Sequence, residues 1–238
     1  MYTFNVTHLS KAAISAVASA LTILTLLLAL FMFAEPTVSR GQADTSNDFY
    51  IRQTITDETS FIVQPSDVDM TGSINGVTGG QATGTTDFVV RSNNVAGYTV
   101  EIEFEDNPGN HAMRGDETGG EEIRDYGGDV GGQPSYGFDT STTAAQFAYT
   151  VTSDVDTDTD QSFLDDGASS CNSLGGNDGG ICWKAPSTTP FQIVQRDSAA
   201  SNGATSTLTF SVYVPSGAQP VPNAETYTAT ATLSLFIQ

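Results

Sequence analysis

The hydrophobic positions of this chain fall into two patterns that hardly mix. Residues 12–34 carry no charge and close on Leu26-Leu27-Leu28-Ala29-Leu30-Phe31-Met32-Phe33-Ala34. Beyond them no apolar run of comparable length recurs, and apolar positions alternate with polar ones instead. The first pattern predicts a hydrophobic helix, which at about 1.5 Å per residue reaches roughly 34 Å. The second predicts strands. Tyr98, Val100, Ile102 and Phe104 alternate with Thr99, Glu101, Glu103 and Glu105. Leu208, Phe210, Val212 and Val214 alternate with Thr207, Thr209, Ser211 and Tyr213, and Phe147, Tyr149 and Val151 follow the same rule. At the C-terminus Tyr227, Ala229, Ala231, Leu233, Leu235 and Ile237 share one parity. Shorter strand candidates are 49–56, 61–70, 85–92, 181–185 and 191–196.

Short strands separated by Gly, Asn, Asp and Pro predict an all-β fold, an antiparallel β-sandwich of about nine strands, because each strand supplies one apolar face for two sheets to bury. Ser92-Asn93-Asn94-Val95-Ala96-Gly97 is turn chemistry between two of them. Residues 44–238 form this domain, and residues 1–43 precede it as a signal peptide or membrane anchor helix. Two Gly- and Asp-rich insertions, 105–144 and 153–180, exceed the usual length of a structureless connection and are the expected places for binding. The last strand is expected to be paired within its sheet, since a free apolar edge invites association.

Three fates of the N-terminal segment stay open. A cleaved signal peptide needs a short apolar core and small residues before the cut, which Gly41-Gln42-Ala43 offers ahead of Asp44. A retained helix has the length to span a bilayer, and Lys11 and Arg40 flank it on both sides without setting an orientation. Lys11-Ala12-Ala13-Ile14-Ser15, running into the apolar segment, resembles the processing site of archaeal type IV-like pilins. That resemblance implies a helix packed in a filament core.

The net charge is −20, and beyond Ala43 there are six basic and 27 acidic residues. Phosphate recognition needs clustered Lys and Arg, so nucleic acid is excluded as a natural partner. Anionic lipid heads are equally unsuited, which leaves membrane contact to the N-terminal helix alone. The acidity suits a strongly solvated surface or divalent cations.

Cys171 and Cys182 are the only cysteines and bracket a Gly-rich loop, which predicts an intramolecular disulfide in an exported chain. Zinc is excluded for want of ligands, because His111 is the only histidine past the apolar segment. The acidic run beginning at Asp154 places Asp154, Asp156, Asp158, Asp160 and Asp165 at positions 1, 3, 5, 7 and 12, the spacing of a calcium loop. Thr159 stands where such a loop needs Gly, and Asp165 where it needs Glu. Calcium is therefore the one cofactor expected, against a solvated acidic loop. Nucleophilic catalysis finds no Gly-x-Ser-x-Gly and one histidine, so no catalytic residue is assigned and the chain is not read as an enzyme. Trp183, beside Cys182, is either a ligand-stacking platform or an aromatic packed on the disulfide.

Val68-Asp69-Met70, Ile74-Asn75-Gly76-Val77-Thr78-Gly79-Gly80 and Asn93-Asn94-Val95-Ala96-Gly97-Tyr98-Thr99-Val100 resemble exported β-sandwich surface proteins of bacteria. The closing Glu225-Thr226-Tyr227-Thr228-Ala229-Thr230-Ala231-Thr232-Leu233 resembles the last strand of WxL-like and fimbrial-type domains. Cys182-Trp183-Lys184 is not Trp-x-Leu, so peptidoglycan anchoring is not implied. The resemblance implies an extracellular or cell-surface protein. The expected function is structural or adhesive, with self-assembly or other surface proteins as partners. The alternatives are a calcium-dependent module for glycans or proteins and, behind it, an exported hydrolase.

Overall fold

The computed structural model describes residues 9–33, 50–105, 110–117, 120–129, 131–138, 140–172, 176 and 180–238. The chain divides into two compact units, Met1–Thr54 and Ile55–Gln238. The first contains α1 (Leu9–Phe33), whose side chains are described over residues 15–31 and are exposed throughout. Its only polar side chains there are serines and threonines. Ser19, Thr22 and Thr25 turn their hydroxyls back onto Ala16, Ala18, Ser19, Leu21 and Thr22 carbonyls at 2.9–3.2 Å. Among the described residues no helix is long and apolar enough to cross a membrane.

The second unit is mostly β. Its strands are β1 (Thr59–Val63), β2 (Gly80–Ser92), β3 (Tyr98–Phe104), β4 (Met113–Gly115), β5 (Glu122–Asp125), β6 (Ser135–Tyr136), β7 (Gln146–Ser153), β8 (Cys182–Trp183), β9 (Phe191–Arg196), β10 (Ala200–Val214), β11 (Tyr227–Thr228) and β12 (Ala231–Ile237). A seven-stranded sheet runs β1-β2-β10-β7-β5-β4-β11, a three-stranded sheet runs β12-β3-β9, and β6 pairs with β8. The long central strand β10 holds β2 on one side and β7 on the other, with Phe210 opposite Gly84 and Tyr149.

The period-two reading of β3 is met in full: Tyr98, Val100, Ile102 and Phe104 are buried, and Thr99, Glu101 and Glu103 are half-buried on the other face. The two larger sheets share one core. Phe104 of the three-stranded sheet lies edge-on to Phe147, with ring centroids 6.0 Å apart, and 5.4 Å from Tyr149, both in β7. The turn between β2 and β3 is built as its residues predict. Asn94 Nδ2 donates to the carbonyls of Gly97 and Gln238, at 3.0 and 2.8 Å. Gly97 takes a φ of +92°, and a Cβ there would collide with the Arg196 carbonyl, so only glycine fits.

Four expectations are corrected. The sheet is mixed, because β5 runs parallel to β7, with Arg124 opposite Gln146 and Asp125 opposite Phe147. The 105–144 insertion is not one loop but supplies β4, β5 and β6, so twelve strands are described instead of nine. Residues 50–56 of the expected 49–56 strand form none, and Phe49 lies outside the described residues. The C-terminal strand is paired, but at a sheet edge and on one side only, with β3.

Candidate functional site

Beta strand β7 is buried on both faces, and the reason lies in the insertion. Phe147, Tyr149 and Val151 point into the shared core, while Ala148 faces a second cluster with Tyr126, Ala185, Phe138 and Trp183. Trp183 stacks on Phe138 at 5.4 Å and 29°, and Phe138 meets Tyr126 at 5.1 Å. The Tyr126 hydroxyl donates to the Gly137 carbonyl at 3.0 Å, closing the insertion over the sheet. Trp183, half-buried in β8, packs in this outer cluster.

Cys171 and Cys182 form the expected disulfide, with Cα atoms 5.9 Å apart. Cys182 is fully buried in the main core, and Cys171 packs partly against it. Opening a loop of this size removes about 2–3 kcal/mol by the chain-entropy estimate. Reduction is expected to lower the melting temperature by an amount matching that loss, and the native mass to fall short of the dithiol by two hydrogens. A protein equally stable with its thiols free would contradict this.

The five acidic positions of the predicted calcium loop are separated by the fold. Residues 156–163 wind into two 3₁₀ turns, Asp156–Asp158 and Gln161–Phe163, pinned to the core by Phe163 and Leu164. Asp154 and Asp156 are exposed. Asp158 is buried and accepts from Arg196 Nη1 at the end of β9. Asp160 caps the second turn by accepting from the Ser162 N–H at 2.9 Å, and its other oxygen accepts from Gln192. Asp165, also buried, accepts from the Gly167 N–H at 2.6 Å. Among the described residues no three Asp, Glu, His or Cys side chains are grouped to hold a metal.

Two polar contacts, one at a buried lysine and one half-buried, were not foreseen from sequence. Lys184 is 4 % exposed, with Nζ 3.4 Å from Asp129 and 4.4 Å from the Phe191 ring centre. Its backbone bridges to Tyr149, so alternation places a charged side chain where an apolar one is the norm. His111 Nδ1 lies 3.3 Å from Asp125 Oδ2, and the other Asp125 oxygen accepts from the Ala112 N–H at 3.0 Å. A lone Lys between Trp183 and Ala185, or a lone His between Asn110 and Ala112, carries no pattern that a sequence reading can use.

Burial raises the Asp125 carboxyl above its ordinary value of 3.8, outweighing the Ala112 N–H and His111, which lower it. A carboxyl whose folded pKa is raised favours folding in acid, and that contribution is lost as pH rises through the folded pKa. Asp125→Asn keeps an acceptor for Ala112 without a charge. It is expected to raise the melting temperature at neutral pH and to flatten the stability profile just above pH ~4. A melting profile identical to wild type across that range would refute the assignment.

No protein-family model matches this chain, and neither a curated protein nor a solved structure matches it.

Proposed function

We propose that this is an exported, surface-located protein with a structural or adhesive role, whose acidic β domain is an elaborated sandwich carried behind an N-terminal apolar helix. The observation that carries the reading is α1. Over residues 15–31 it presents apolar side chains all round, and the hydroxyls of Ser19, Thr22 and Thr25 bond to its own carbonyls. Such a helix has little to gain from water and fits lipid or the packed core of an assembly.

The disulfide supports an oxidising compartment, and the net charge of −20 supports a domain held in solvent. The buried carboxylates Asp158 and Asp165 serve the fold, which favours a structural role over a calcium-dependent module.

External protease applied to intact cells, with sequencing of the native N-terminus, tests the reading. Digestion of the β domain from outside is expected, and a first residue of Ala13, Asp44 or Met1 then separates pilin-like, secreted and anchored forms. Protection of the β domain in intact cells, with digestion only after lysis, would overturn it.

A further inference from the structure

Among the described residues two features have no strand partner on one side or at all, and their chemistry matches. The first is the outer edge of β12. Bonds from the Glu105 N–H to the Thr230 carbonyl and from the Gln238 N–H to the Gly97 carbonyl fix which residues of this ladder are hydrogen-bonded pairs. Residues 230 and 238 are both even, so Ala231, Leu233, Leu235 and Ile237 form the non-bonded pairs and aim their backbone groups away from β3. No described strand takes them; β1 lies near but shares no hydrogen bond with β12. Edges are usually blunted by charge or proline, yet residues 226–238 contain neither, in a chain with 28 acidic residues. Phe236 and Ile237 are 48 % and 55 % exposed there.

The second feature is Tyr50-Ile51-Arg52-Gln53-Thr54-Ile55-Thr56. Its alternation and β-branched content predict a strand, but it belongs to none. Tyr50, Ile51 and Ile55 are 81–87 % exposed. It has seven residues, as does β12.

We propose that residues 50–56 of one copy add as a strand to the outer edge of β12 in a second copy. The parity fits. With Ile51 and Ile55 on the core side, they extend the row of Leu233 and Leu235, opposite Ile102 and Val100. Arg52 then falls on the solvent side, where Thr232 and Ser234 are short and pair with Glu103 and Glu101. A long cation reaching across short side chains to two carboxylates sets the register. This contact joins two different surfaces, so repeating it builds a chain of subunits unless rotation or reciprocal exchange closes it. The inference rests on the assembly reading above and names its contact.

The test uses the full chain in detergent micelles and hydrogen exchange at Ala231, Leu233, Leu235 and Ile237, a readout that association through α1 does not move. In the wild-type assembly these four amides are expected to exchange at least about tenfold more slowly than in Ile51→Asp/Ile55→Asp. That double variant should melt as wild type does, since both positions are exposed. A synthetic peptide of residues 50–56 should restore slow exchange in it. The peptide should fail when Ala231→Pro is added, which removes one outward N–H without touching the β3 ladder. Equal assembly and equal exchange in wild type and double variant would overturn this contact while leaving surface assembly standing. A wild type that stays monomeric with fast exchange, and peptide that leaves it fast, would overturn both. Slow exchange in a dilute wild-type monomer would place the strand within one copy and overturn the second-copy contact.

Discussion

Replacing Phe104 by alanine is expected to destabilise the β domain by about 3–5 kcal/mol, the range for a large aromatic removed from a close-packed core. Phe104 is 3 % exposed and is the last residue of β3, where its ring lies between the two larger sheets against Phe147 and Tyr149. Those rings sit in a continuous strand bonded to β10 on one side, so they have little freedom to close the gap. The lost area and the residual cavity therefore add. Urea unfolding is the measurement, with an unchanged slope and a lower midpoint. Val95→Ala serves as control, since Val95 is 84 % exposed and its loss should change stability by less than about 0.5 kcal/mol. A Phe104 variant within about 1 kcal/mol of wild type would show that the two sheets do not share this core.

The second large effect is expected at Arg196. Its guanidinium bonds buried Asp158 and donates to the carbonyls of Ser198 and Ala199 at 3.2 Å. Burial is the main influence on the Asp158 carboxyl and raises it above 3.8, with Arg196 holding the rise in check. Tyr98 joins the cluster, its hydroxyl pushed up to about 12 by burial and by the Asp158 charge. Arg196→Ala leaves that charge buried without its partner and is expected to cost about 3–5 kcal/mol at neutral pH. A group with a raised folded pKa gives stability that is present in acid and lost as pH rises. The variant should therefore recover part of its loss on acidification, as Asp158 takes up a proton. Adding Asp158→Asn should recover part of it at pH 7, because an amide needs no counter-ion. Unfolding curves for both single variants and the double variant decide the matter. A loss that neither acid nor Asp158→Asn reduces would assign the effect to Arg196's packing alone.

The sequence by itself determined the elements whose signal is local. Alternation located β3, β7, β10 and β12, because successive side chains of a strand point to opposite faces. Asn93, Asn94 and Gly97 marked the β2–β3 turn, Gly97 by its positive φ and the two asparagines by side chains that bond nearby backbone. Two cysteines around a Gly-rich loop were enough to pair Cys171 with Cys182. The apolar α1 declared itself by the uncharged run that begins at residue 12.

What only the tertiary structure decided concerns groups brought together from far apart. Strands β4, β5 and β6 have two to four residues each, too few for any period to show, and exist because β7 partners β5, β5 and β11 partner β4, and β8 partners β6. The Asp154–Asp165 spacing suited a calcium loop, but spacing does not fix direction. Arg196 and Gln192, some 30 residues or more away in sequence, supply the partners of Asp158 and Asp160. Trp183 met Phe138 across 45 residues, a contact set by the insertion's path over the sheet. Residues 50–56 have the pattern of a strand without a described partner, since pattern records a preference for a sheet and only the fold decides whether one chain supplies it.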